Sequence, residues 1–568
     1  MVARTHLLVV AVAVALVCVP AAAAVESPQS AATGSVGADV EGSQATTAME
    51  PFSTLVDLYS TNRSSIVADR HPNDPEEDVL GWEAGYWYNE TIDVTPGNGL
   101  NDSELDAVVA RGMARVEQIR RIEFTEQPPV EVISREDYRR QVENRTSNVT
   151  DARHLHRNVK YEALLMVNES TDATEVQVDN QAGGVGGFYD PSTGEIKIVS
   201  ENTSTPKMNE ITLSQELFHA LQDQRFNILS FNQSTQELHN AKDGIIEGDG
   251  NYVDHLYQER CENEWEETCL MPEDLQGASS DFQPHFGLYQ ILLQPYSDGP
   301  PFVEAVREEG GWEAVNAVYE DPPASTEQTI HPEKYGQDAP TNVSVPDRSD
   351  DRWRVLDVNG SINYATFGEA GLYVTLWYPS IDIGIPPDKA IIPYANHVNA
   401  VPGGTQQFDP YNYNHSYTAG WDGDKLVPYV TDESGETNET GYVYKTVWDS
   451  PEDAAEFSEG YERLLTFRGA EAVEGRLGTW RIPDGKEFGD AFYLNRTGQT
   501  LVIVNAPSVE ELPAIREGSA PEGERTLTEE ANGDDGTGDV TTTDGPGFTV
   551  LAAFSGLLAL AVALLRRR

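Results

Sequence analysis

Ile211-Thr-Leu-Ser-Gln215-Glu216-Leu-Phe-His219-Ala-Leu-Gln-Asp-Gln224 is the stretch on which the reading of this chain turns. It reads as a helix over roughly 209–224, followed by a second over roughly 236–260. In an H-E-x-x-H helix two histidines at i and i+4 share a face and can both ligate zinc. The glutamate after the first polarises the bound water and shuttles its proton. Glu216 and His219 occupy the glutamate and second-histidine positions, whereas Gln215 stands where the first histidine would be. A glutamine offers a neutral amide oxygen, a poor substitute for imidazole at zinc. Gly244-Ile-Ile-Glu247-Gly-Asp249 lies on the following helix.

Working outward, Leu105, Val108, Val109, Met113, Val116 and Ile119 recur at helical spacing and predict a helix over 104–122. A short strand over 129–133 follows, then a helix capped by Ser134. Segments 185–189 and 195–199 flank Asp190-Pro-Ser-Thr-Gly194 and predict a β-hairpin. Residues 364–379 are apolar and regular, 380–445 are rich in Pro, Gly, Asn and Tyr, 452–467 form an amphipathic helix, and 500–504 a buried strand. The expected class is α+β: a zincin-like helical core with a short hairpin or sheet over 51–350, and a C-terminal α+β region over 351–515.

The run Thr212-Leu-Ser-Gln-Glu-Leu-Phe-His-Ala-Leu-Gln-Asp-Gln-Arg-Phe226 resembles the T-x-A-H-E-L-x-H-A-L-Q-D-Q-H-F segment of a family of gluzincin-like zinc metallopeptidases from bacteria and archaea. Further matches are Gly186 to Pro191, Glu247-Gly248-Asp249, Gly310-Gly311-Trp312, Pro322 to Tyr335, Gly420 to Asp424 and Trp448-Asp449-Ser450 with Asp453-Ala454, so the likeness spans about 100–510. The resemblance implies a zinc cofactor held by His219 and Glu247, with Gln215 at the altered third position, and Glu216 as general base. It also implies a substrate or oxyanion role for His331 or Tyr335. His239 and His255 are the other candidates for a replacement ligand, and Asp249 for a group that orients His219.

The whole chain has 568 residues, 38 Lys+Arg and 94 Asp+Glu, a net charge of −56. Such a charge excludes nucleic acid as a partner, because phosphates would be repelled. With 9% aromatic residues the chain is no disordered polyanion. Screening in concentrated salt would remove most of the self-repulsion, and the composition resembles that of proteins from halophilic archaea.

Residues 1–24 read as a signal peptide and 25–50 as a flexible lead-in. Residues 516–545 read as a Thr/Asp/Gly spacer. Gly545-Pro-Gly-Phe548, an apolar run over 549–565 and three terminal arginines resemble the PGF-CTERM sorting tail of archaeal surface proteins. That resemblance implies an archaeosortase-type processing enzyme and lipid or membrane attachment; a plain transmembrane helix is the other reading of the segment. Either places the protein on the outer face of the cell membrane. The Cys261 and Cys269 pair is expected to be bridged in an exported protein, and N-x-S/T sequons from Asn62 to Asn495 predict a glycoprotein.

Two function classes follow. In one, the chain is a surface zinc metallopeptidase acting through Glu216. In the other, it keeps the scaffold without catalysis and serves as an envelope protein or binds a peptide partner. Gln215 tips the reading towards the second, while the retained Glu216, His219 and Glu247 argue for the first.

Overall fold

The computed structural model describes residues 74–523, apart from 147–148, 183–184, 266–267, 272–283, 382–384, 387–388, 403 and 438. A small hairpin, β1 (Trp82–Glu83) and β2 (Tyr86–Trp87), leads into α1 (Asp102–Arg120). Asn101 and Glu104 cap the α1 N-terminus reciprocally, each accepting the other's backbone N–H. Then come β3 (Val130–Ile133), α2 (Arg135–Thr146), α3 (Asp151–Glu162) and α4 (Ala173–Ala182). Strands β4 (Gly187–Asp190) and β5 (Glu195–Val199) form the expected hairpin. β3 joins β5 in parallel, which leaves β4 at one edge of the three-stranded sheet.

Helix α5 (Glu210–Phe226) lies against that sheet and between α1 and α6 (Gln236–Asn263). Leu213, Leu217 and Leu221 of α5 share a core with Val109, Met113 and Val116 of α1, Ile196 and Ile198 of β5, and Val253 and Tyr257 of α6. Helix α7 (Phe286–Val318) runs along α6 and breaks at Gly311, whose φ of +68° no ordinary helical residue adopts. α6 and α7 touch backbone to backbone: a Cβ on Gly248 would lie 2.6 Å from the carbonyl carbon of Gly299. The glycine of the Glu247-Gly248-Asp249 motif is thus the residue that lets α7 approach and close over its neighbours.

Beyond the short α8 (Glu327–Ile330) the chain builds a seven-stranded antiparallel sheet. Its elements are β6 (Arg354–Val355), α9 (Gly368–Trp377), α10 (Tyr394–His397), the hairpin β7 (Ala400–Val401) and β8 (Gly404–Thr405), β9 (Trp421–Val430), α11 (Ser434–Thr437), β10 (Gly441–Trp448), α12 (Pro451–Phe467), β11 (Glu471–Ala472), β12 (Thr479–Arg481), β13 (Ala491–Thr497), β14 (Thr500–Ala506) and α13 (Leu512–Ile515). β7 and β8 pair apart from the large sheet, whose order is β11-β12-β13-β14-β10-β9-β6. α9 and α12 cover one face, packing Trp377, Leu376, Phe457 and Leu464 onto Leu426, Tyr444 and Ile503. The same core takes in Val159, Tyr161 and Leu164 from around α3 and Leu288 and Ile291 from α7, so it crosses the 350/351 boundary expected from the sequence.

The protein is α+β, as expected. Residues 516–523, assigned above to the spacer, belong to the folded body: Ser519 and Ala520 are buried, and Arg516 and Glu522 bridge to Arg348 and Arg476. Among the described residues no helix is long and apolar enough to cross a membrane; the run read above as a transmembrane helix is not among them. The leader over 1–24, the lead-in over 25–50 and the apolar run over 549–565 lie outside the described residues. Cys261 and Cys269 are bridged.

Candidate functional site: a buried histidine–carboxylate centre

The centre is held first by its supports. Glu210, at the start of α5, is fully buried and accepts from Arg111, Arg115, the Tyr257 hydroxyl and the Leu270 N–H at 2.6–2.8 Å. Burial alone would raise its carboxyl, but the Arg115 and Arg111 charges hold it below the usual range. This knot fixes the α5 N-terminus to α1 and α6.

One turn on, Gln215, Glu216 and His219 all turn inward, with exposures of 4%, 2% and 1%. His219 Nδ1 lies 2.7 Å from Gln222 Oε1. The Gln222 amide donates to the Ile246 carbonyl and to the Tyr319 hydroxyl, which itself donates to Asp249, and Asp249 pairs with Arg120. Asp249 is thereby linked to His219 through Tyr319 and Gln222. With Nδ1 engaged, Nε2 faces Glu247 on α6 at 3.4 Å, an ion-pair distance longer than a good hydrogen bond. Gly250 makes the room: a Cβ there would sit 3.1 Å from the His219 ring.

Glu216 reaches the other way. Its Oε2 accepts the Tyr189 N–H of β4 at 2.8 Å, while Oε1 has no hydrogen-bond partner. Edge strand β4 is thereby tied to α5 by a side chain. Two groups that the sequence reading passed over complete the centre. Asp254 lies seven residues after Glu247 on the same face of α6, partly buried, with Ser214 Oγ at 3.5 Å. Tyr296 of α7 is partly buried and faces Glu247. The i, i+3, i+7 spacing of Glu247, Gly250 and Asp254 is a signal that could have found the aspartate.

The charges settle among themselves. Burial would lower His219, but Glu247 beside it, with Glu216, pushes it up to about 10. Burial raises Glu216 to about 7, Glu247 adding to the rise and His219 opposing it. Burial thus favours the neutral form of Glu216, while the carboxylates around His219 favour its imidazolium form. Both shifts are upward, so both contribute stability that is lost as pH rises, over about 4.5–7 for Glu216 and about 6.5–10 for His219. Glu216→Gln is expected to flatten the fall in stability between pH 4.5 and 7. It should also raise stability at pH 8 by about 1–3 kcal/mol, read from urea unfolding at both pH values. An unchanged pH profile would contradict the assignment.

These residues do not suit zinc. A zinc centre takes three protein ligands and a water, and here two conventional ligands converge, His219 and Glu247. The carboxylate and imidazole groups that gather within one ion's reach, among the described residues, lie elsewhere and include neither. His239 pairs with Asp243 at 3.3 Å, and His255 lies against Glu259 and Phe408, so neither replaces the missing histidine. The expectation of a zinc-binding protein with Gln215 in the ligand set is corrected on this ground. His331 is also not brought to the centre. It pairs with Glu369 of α9 at 3.1 Å among Glu327 and Glu333, and the Tyr335 hydroxyl donates to the Asp321 carbonyl.

Fold and site define an α+β protein with a buried, self-neutralising histidine–carboxylate centre. Residues 354–516, from β6 to just past α13, match a domain of unknown function, DUF8575; α5 and α6 lie outside the match. No curated protein matches the chain. Among solved structures, a candidate hydrolase with a novel fold from Chloroflexus aurantiacus aligns with 42% of this chain and 91% of its own, at 15% identity and a TM-score of 0.25. A likeness that loose carries no argument about fold or activity.

Proposed function

We propose that the chain keeps a metallopeptidase-type scaffold without its chemistry and works as a binding or envelope protein that engages a peptide or envelope partner. One observation carries the reading: the centre is shut, with Gln215, Glu216, His219 and Glu247 between 0% and 4% exposed. Peptide hydrolysis needs a carbonyl held about 3–3.5 Å from an attacking oxygen, and a group this deep meets no peptide. The edge N–H of Tyr189, which an extended chain could use for strand pairing, is already taken by Glu216. The Cys261–Cys269 disulfide supports work in an oxidising compartment.

The test is hydrolysis of an unstructured polypeptide such as casein by the purified full chain in concentrated salt, beside Glu216→Ala. No cleavage by either protein is expected. Cleavage that disappears with Glu216→Ala would overturn the proposal and restore an active peptidase with Glu216 as base.

A further inference from the structure

Away from the α5–α6 centre, three carboxylates meet where the N-terminal half touches the large sheet. Glu162 is the last residue of α3, Glu169 lies in the segment leading to α4, and Asp490 immediately precedes β13. One oxygen from each lies within 4.8 Å of the other two. That is the greatest separation of two ligands each about 2.4 Å from a shared ion.

Three acids alone would be only a patch of charge; Glu162 makes this one different. Its side chain is 6% exposed, and it is the buried acid among the three for which no hydrogen bond or ion pair is found among the described residues. The acids that face it are Asp490 and Glu169, both of its own sign, and the buried Tyr442 hydroxyl also lies within its field. Asp490 is buried and uses one oxygen to accept from Asn505 Nδ2 at 3.0 Å, leaving the other for the cluster. Glu169 is exposed and offers a way in from solvent. Arg481 is the nearby cation, but its ion pair is with Asp484, and exposed Glu439 adds further negative field. Burial and the neighbouring acids drive the Glu162 carboxyl well above its ordinary range, and burial raises Asp490 to about 7. Without a cation the arrangement works against itself.

We propose that Glu162, Glu169 and Asp490 bind one divalent cation of the calcium class, and that the ion fastens the α3–α4 segment to the sheet edge around β13. The donors are all carboxylate oxygens, which suit a hard ion and not a thiol- or imidazole-seeking one. A set divided between a buried core and an exposed segment suits calcium's adaptable shell better than magnesium's rigid octahedron. The site is independent of the reading of the α5–α6 centre.

The test uses the full chain, stripped with a chelator and held in concentrated sodium chloride to suppress loose binding to its many acids. Calcium chloride is titrated by calorimetry, and Tm is followed in parallel. One saturable site and a rise in Tm are expected. Glu162→Gln and the exposed Glu169→Gln should each weaken that binding about tenfold or more and remove the rise. The stripped Glu162→Gln protein should melt at or above the stripped parent, since a buried carboxyl set against two others has been removed. No saturable binding by the parent, or binding by both variants equal to the parent's, would overturn the proposal.

Discussion

Replacing Glu247 by alanine is expected to cost about 3–5 kcal/mol, because it leaves the His219 imidazolium in the interior without its counter-charge. Both side chains are buried to within 1%, so water cannot take over the solvation. The remaining neighbours, Gln222 at Nδ1 and Glu216, whose carboxyl burial pushes up to about 7, do not replace the lost counter-charge. Against a typical total stability of about 5–15 kcal/mol the loss would be evident as a lower urea midpoint. The companion variant decides what the loss means. His219→Leu with Glu247→Leu removes both charges and should recover most of the stability, since a buried pair replaced by apolar groups is often neutral. If the double variant is as unstable as the single, the ion pair is not the source of the effect.

Glu210→Ala should be at least as damaging, by about 3–5 kcal/mol. The carboxylate satisfies two fully buried guanidinium groups, a buried phenol and the Leu270 N–H in one place. Its removal strands Arg111 and Arg115 side by side with nothing between them. Glu210→Gln is the informative partner, because it keeps an acceptor while losing the charge. It should fall between alanine and the parent, and a glutamine variant as stable as the parent would show that the knot acts by hydrogen bonding alone.

The helices that carry the centre were legible because their apolar residues recur at 3.6-residue spacing and their ends carry caps, as with Asn209 below Ile211. The pairing of His219 with Glu247 was also legible, from the arrival of a carboxylate on the next helix. The fate of Glu216 was not. Its bond to Tyr189 depends on β4 lying at a sheet edge beside α5, a fact of packing that no local pattern announces. The Glu210 knot joins residues 99 and 95 positions apart, and separations of that size leave no periodic trace.

Helix α7 escaped notice for a different reason. Pro295, Pro300 and Pro301 read as breakers, yet the helix continues through them, buried along α6, and breaks instead at Gly311. In the large sheet, β9 carries Gly423, Pro428 and the buried Asp424, which accepts the N–H groups of Phe367 and Gly368. Its alternation is thereby blurred, and only a composition rich in Pro, Gly, Asn and Tyr is evident there in the sequence.

In the proposed reading His219 and Glu247 neutralise each other at the position where an H-E-x-x-H helix would hold a metal. The most direct test of that reading is the zinc content of the purified full chain after dialysis against zinc, beside Gln215→His. No stoichiometric zinc is expected in the parent, and about one per chain once the missing imidazole completes a three-ligand set. About one tightly held zinc in the parent, lost with His219→Ala, would contradict it.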